Sequence, residues 1–276
     1  MLRLWRDRLL VSIAPDTVSW LRVTGRMKPR VSSKRSVQAD PDHGPELWSG
    51  AVATLAHEAE SWRREALDVT IVLSNHFVRY TVVPQPKRVN NSDEALALAR
   101  FHFTKIHGER AAGWDVRLSP ASGGATLASA IDNALLATLK ACFSSAGKPR
   151  LTSIQPYTMA AFNTWRGRVD AQGAWLLLVE PGIACLALLA GKNWTAIQNI
   201  KGHLAAADDC TALLAREKYR IGVEPMPSTV LTHVPGRAPS ALAARRDWRF
   251  VILDLPAVPG VSMQERDAYA MVLHAV

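Results

Sequence analysis

Short apolar and β-branched runs dominate the first forty residues, and a helical spacing then takes over. Residues 9–24 (LLVSIAPDTVSWLRVT) are divided by Pro15-Asp16, which predicts a hairpin. A third strand is expected between Met27 and Gln38, after Pro29, and Ala39–Pro45 (ADPDHGP) has the composition of a loop. Trp48, Val52, Leu55, Ala59 and Trp62 step by four, three, four and three. That spacing sets them on one helix face, with Glu58, Arg63 and Arg64 elsewhere. Asp68–Val83 predicts a strand, a polar turn near Ser74-Asn75 and a second strand, ended by Pro84 and Pro86. Ser92-Asp93 caps a helix to about His107, with Leu96, Ala99, Phe103 and Ile106 on its apolar face.

Strands are expected at Trp114–Leu118 and Ala125–Ile131, then a helix from about Asp132 to Ser145, stopped by Gly147 and Pro149. Leu151–Pro156 reads as a strand entering a helix at Tyr157–Trp165. The polar, turn-rich Arg166–Gly173 is the preferred domain boundary. Beyond it, Ala174–Val179 and Ile183–Leu189 form a second hairpin, and Trp194–Ile200 a third strand. A helix at Ala205–Tyr219, strands at Ser228–Val234 and Arg249–Leu255, and a short helix at Gln264–His274 complete the order. The pattern β-β-β-α-β thus starts near residue 9 and again near residue 174. No sequence repeat accompanies it, so a duplication rests on element order.

Composition narrows the class. With 276 residues, 48% of them hydrophobic and 21% charged, the chain can build a substantial core in one large or two small domains. Cys142, Cys185 and Cys210 lie far apart with no C-x-x-C pair, and read as reduced core or semi-core thiols of a cytosolic protein. The net charge of +9 is uneven: residues 1–35 hold nine Lys/Arg and two acids, the rest 24 basic and 22 acidic residues. Such a basic stretch suits an acidic peptide, an anionic membrane or nucleic acid, and equally a solvated edge. Glu180-Pro181-Gly182 interrupts the most apolar stretch, Ala174–Ala190, which is too short for the ~20 apolar residues of a membrane span. The first sixteen residues have charges throughout and no apolar h-region, so no signal peptide is expected.

Motifs for common chemistries are absent. Ala190-Gly191-Lys192-Asn193 has Leu186 where a P-loop needs its first glycine, and lacks the Ser/Thr. Neither G-x-G-x-x-G nor G-x-S-x-G occurs. Ser145-Ala146-Gly147-Lys148 fits S-x-x-K without its partner motifs and reads as a helix end. His102 and His107 are five apart, about 140° around a helix, and His57-Glu58 lacks the second His of H-E-x-x-H, so no metal site is expected. Nucleic-acid binding has charge behind it but no reading motif.

The element order is similar to that of the actin-like ATPase fold. Val72–Pro84 (VLSNHFVRYTVVP) resembles a strand-turn-strand segment of PilM/MshI-type pilus biogenesis proteins and of the cytoplasmic domain of the type II secretion protein GspL. Ala130–Ala160 resembles the same families, with a helix ending at Ala146-Gly147, a strand to Gln155-Pro156 and a small-residue helix. The resemblance covers about residues 9–273. It implies an α/β, actin-like (ribonuclease H-like) two-domain fold, reduced in size. The first domain would be 1–165, with a small α/β subdomain inserted at about 85–130, and the second 166–276, with a C-terminal helix.

Nucleotide binding by this fold depends on two hairpins that each carry Asp-x-Gly, the acid serving the metal or its water and the glycine admitting backbone amides to phosphate. Here the first hairpin has Ser12-Ile13-Ala14, and Pro15 removes one more amide donor. The second has Glu180-Pro181-Gly182, a partial match that is equally an ordinary hairpin turn. The later adenosine turn reads His233-Val234-Pro235-Gly236, with one glycine where two are expected. The resemblance therefore leaves Glu180, Gly182 and Gly236 as a degenerate nucleotide (cofactor-binding) site, with no catalytic residue and no metal ligand.

The resemblance implies a non-enzymatic scaffold of a type IV pilus or type II secretion-like platform, cytoplasmic and peripheral at the inner membrane. Its partner would be the short cytoplasmic tail of a bitopic, PilN-like protein, added along an exposed strand or lying in a groove. Arg3, Arg6 and Arg8 are the candidate contacts to that partner or to the membrane surface. No cofactor is expected under this reading. Its first rival is an ATP/Mg-binding ATPase or kinase-like enzyme, with Glu180, Asp16 and Asp254 as the acids available. Its second is a nucleic-acid-associated protein, supported by basic charge alone.

Overall fold

Two residues, Pro15 and Asp16, turn the chain between its first strands, and both keep negative φ. A computed structural model of the chain describes residues 6–25, 27–40, 42–83, 92–119, 125–144, 148–191, 193–202, 207–222, 225–236 and 247–276. The order begins β1 (Asp7–Ala14), β2 (Thr17–Thr24), β3 (Arg30–Gln38), α1 (Ser49–Trp62), β4 (Leu67–Leu73) and β5 (Val78–Val83). It continues α2 (Ser92–His107), β6 (Trp114–Leu118), β7 (Thr126–Asp132), α3 (Asn133–Ala141), β8 (Arg150–Pro156) and α4 (Tyr157–Trp165). The remainder is β9 (Gly173–Glu180), β10 (Ile183–Ala190), β11 (Asn193–Lys201), α5 (Ala207–Ile221), β12 (Thr229–His233), β13 (Arg249–Ile252) and α6 (Ala270–Leu273).

The first sheet has the order β3-β2-β1-β4-β8, with β1, β4 and β8 parallel and the hairpin strands antiparallel. Five consecutive residues of β1, Leu9–Ile13, are buried, as a strand covered on both faces must be. Helix α1 packs against β1 and β2, and α6 against β1, β2 and β4. The second sheet repeats the plan, β11-β10-β9-β12-β13, with β9, β12 and β13 parallel. All of β9 is buried, and Trp175, Leu177, Leu186 and Leu188 pack with Cys210, Leu213 and Leu214 of α5. The element-order duplication read from the sequence is thus a duplicated sheet topology. A third sheet, β5-β7-β6, packs on α2 through Val83, Ala99, Phe103, Val116 and Ala128.

The described residues fall into two compact units. One takes them from Met1–Val78, Asp132–Thr164 and Leu255–Val276, the other from Arg79–Ile131 and Trp165–Asp254.

Several local expectations need correction. Strands β4 and β5 exist where the sequence placed them, but they join different sheets. Glu58 is only 5% exposed: it flanks the apolar stripe of α1 and meets a polar pair on the sheet. Its carboxylate accepts from the Trp20 indole (2.9 Å) and from Arg35 (2.9 Å), which face each other across β2 and β3. Ile106 is 62% exposed, because the neighbouring His107 takes the contact with Trp114, 4.9 Å between rings. The last helix is mostly 3-10 (Met263–Tyr269), with one α turn after it. Helix α3 ends at Ala141, and Ala146-Gly147 lie outside the described residues.

Candidate functional site

Open α/β sheets place ligands at the carboxyl ends of their parallel strands, so the loops after β1, β4 and β8, and after β9, β12 and β13, are the places to look. After β1 stand Ser12, Ala14 and Pro15. The Ser12 hydroxyl is buried and donates to the Ser19 carbonyl (3.3 Å), and the Ser19 and Ser36 hydroxyls share a hydrogen bond (2.8 Å). Ser12 belongs to a polar ladder across β1, β2 and β3, and its hydroxyl is engaged inside the sheet. Asp16 faces solvent, its carboxylate accepts from the Thr17 hydroxyl (3.1 Å), and its carbonyl accepts from the Ala39 amide (2.8 Å).

The loop after β4 adds a buried polar knot. The Ser74 amide donates to the Ile13 carbonyl (2.9 Å), and the Ser74 hydroxyl oxygen accepts from the His76 amide (3.2 Å). The Thr158 hydroxyl at the start of α4 donates to Asn75 Oδ1 (2.7 Å). Ser74, Asn75 and Thr158 are fully buried, so the ends of β1 and β4 and the start of α4 are tied together by hydrogen bonds between buried polar groups.

On the second sheet, Glu180 closes β9 and is buried, followed by Pro181 and by Gly182 at φ +75°. Proline and then a left-handed glycine is type II turn chemistry. The Gly182 carbonyl accepts from the Gly202 amide just past β11 (3.0 Å), the counterpart of Asp16 and Ala39 in the first sheet. His233 ends β12 and is buried, its ring 6.2 Å from that of Trp165. Gly236 follows at φ +71°. Asp254 follows β13, and its carbonyl accepts from the Trp165 indole (3.2 Å). Glu180, His233 and Asp254 therefore stand at the ends of three adjacent strands, a grouping the sequence scatters over 75 positions and Trp165 helps to hold.

Arg3 lies outside the described residues. Arg6 donates to the carbonyls of Lys148 (2.7 Å) and Leu67 (3.4 Å), and Arg8 sits on β1 opposite Asp68. Both mark the amino end of β1, the opposite edge from the Pro15-Asp16 turn. Among the described residues no group of three or more His, Cys, Asp or Glu is placed to hold a metal ion, and no helix is long and apolar enough to cross a membrane.

No family model matches the chain, and no curated protein matches it. Solved structures do. The PilM–PilN type IV pilus biogenesis complex superposes with a TM-score of 0.69 at 14% identity, covering 98% of this chain and 98% of that one. A Bacteroides thetaiotaomicron protein of actin-like ATPase fold and unknown function gives 0.62 at 12% identity, covering 97% and 95%. The chain has the actin-like ATPase fold. The cytoplasmic domain of EpsL, an inner-membrane component of the type II secretion system of Vibrio cholerae, shares it at a TM-score of 0.55 and 14% identity, covering 97% and 94%. On the actin-like frame, the two hairpins just described are the pair that the sequence resemblance assigned to phosphate. One carries a buried serine and a proline, the other a buried glutamate and a left-handed glycine.

Proposed function

We propose that this chain is a non-enzymatic component of a type IV pilus or type II secretion-like assembly platform at the cytoplasmic face of the inner membrane. It captures the short cytoplasmic tail of a PilN-like bitopic protein. The observation that carries the reading is the whole-length likeness to PilM in a PilM–PilN complex. The first hairpin supports the non-enzymatic part. A metal-assisted phosphoryl site needs an acid for the metal or its water, and the Ser12 hydroxyl is neutral and engaged with the Ser19 carbonyl. The left-handed Gly182 and the buried Glu180 are then retained as turn and core elements of β9 and β10. A tail of this kind binds by adding along an exposed strand, where main-chain hydrogen bonds supply affinity and alternate side chains supply specificity.

Two titrations test it. The purified chain is titrated with a peptide of the cytoplasmic tail of a PilN-like protein from the same genome, and separately with ATP and magnesium. Saturable peptide binding with no phosphate release is the expected result. ATP turnover that disappears in Glu180→Ala would replace the scaffold by an enzyme.

A further inference from the structure

We propose that the amino edge of the first sheet is a docking surface for an anionic phospholipid bilayer. Arg8, Asp68 and Arg150 stand in register across β1, β4 and β8, a row of alternating sign. Asp68 is paired with Arg150 (3.1 Å), and Asp7 with Arg22 (2.9 Å), which also bridges Glu65. The acids of this edge are thus already held by arginines. Arg6 spends its hydrogen bonds on the neutral carbonyls of Leu67 and Lys148. Arg8, Lys28 and Arg30 have no carboxylate within ion-pair distance among the described residues. Of the cations of residues 1–35, Arg6, Arg8, Lys28 and Arg30 therefore stay without a carboxylate partner at this edge among the described residues, while Arg22, Lys34 and Arg35 are paired.

The polarity of this edge agrees with a bilayer. Arg6, Arg8, Arg150 and Met27 line a cavity of about 1190 Å³ together with Asp7 and Asp68, whose carboxylates are held by Arg22 and Arg150. Met27, in the connection from β2 to β3, is 97% exposed and stands beside the exposed Lys28. A fully exposed flexible thioether flanked by cations gains nothing against the phosphates of a nucleic acid. At a membrane surface it enters the boundary between headgroups and acyl chains while the cations meet lipid phosphate. Each Lys or Arg near an anionic leaflet contributes about 1 kcal/mol, roughly fivefold in affinity, within about one Debye length.

This inference deepens the proposed membrane-side location, and vesicles without any peptide test it apart from tail capture. The full chain is floated with vesicles of phosphatidylglycerol and phosphatidylcholine in equal parts, and with phosphatidylcholine alone. Binding to the anionic vesicles only, weakened by salt, is expected. Lys28→Glu with Arg30→Glu changes an exposed residue of the connection and the exposed first residue of β3, and should cut the affinity about 25-fold or more. Met27→Ser should lower it with an unchanged salt dependence. Absent binding, equal binding to both vesicle types, or indifference to Lys28→Glu with Arg30→Glu would overturn the proposal. So would duplex DNA or inorganic phosphate displacing the vesicles while Met27→Ser has no effect.

Discussion

The two five-stranded sheets share one strand order and one pair of hairpin-closing hydrogen bonds, yet differ in what fills them. In the second, β9 and β10 are apolar almost throughout, and Trp175, Leu177 and Leu186 pack directly on α5. In the first, serine hydroxyls run across β1, β2 and β3, and a buried carboxylate, Glu58, bridges α1 to the sheet. The hairpin of the second sheet turns on a left-handed glycine, that of the first on Pro15-Asp16 with negative φ. The topology demands only buried faces and satisfied backbone groups, and either a hydrocarbon core or a closed polar ladder meets that demand. The chemistry at the strand ends is free to differ between two halves built on one topology.

The comparison breaks most visibly at the core. Trp175→Ala removes a fully buried indole that packs edge-on against Trp248 (6.1 Å) and donates to the Pro227 carbonyl (3.1 Å). It should cost about 3–5 kcal/mol, read as a shifted urea midpoint. Glu58→Ala on α1 removes the acceptor that the Trp20 indole and Arg35 of the first sheet share. A loss of about 1–3 kcal/mol is expected, with Glu58→Gln milder because an acceptor remains. If Glu58→Ala proves neutral, the polar bridge of the first sheet carries no stability and the contrast between the sheets is one of composition alone.

The hairpins give a smaller, paired effect. Gly182→Ala forces an alanine to φ +75° and should cost about 1–2 kcal/mol. Asp16→Gly, at the matching turn position, should cost less, about 0.5–1 kcal/mol through unfolded-state entropy. Equal losses in thermal melts would erase the distinction between the two turns. The smallest effect is a pH dependence in the first unit. Glu265, hydrogen-bonded to Lys34 (2.7 Å) and then to Ser262, is held below its usual 4.5, at about 2. A depressed carboxyl contributes stability that is present above pH 4.5 and is lost as pH falls through about 2. Glu265→Gln should melt slightly below the parent near neutrality and meet it as pH falls through about 2, the gap being small because the carboxylate is at the surface.

Much of the architecture is legible in the residues. The Pro15-Asp16 and Pro181-Gly182 turns, the three-strand openings of both halves and the helix stripe from Trp48 to Trp62 follow from local spacing and turn chemistry. The site is less legible. Periodicity places Glu58 beside its stripe, but its burial depends on Trp20 and Arg35 meeting across two strands. The pairing of Asn75 with Thr158 spans 83 positions, and that of Trp165 with Asp254 spans 89.

Local sequence therefore decides which segments are strands and helices and where each turns, because those choices rest on φ/ψ preference and on the period of apolar side chains. Only the folded chain decides that β4 and β5 part company into different sheets, that Glu180, His233 and Asp254 end adjacent strands, and that Arg8, Asp68 and Arg150 form one row. Register between distant strands is set by burial of whole faces and by closure of backbone hydrogen bonds, and no short stretch of residues carries that information.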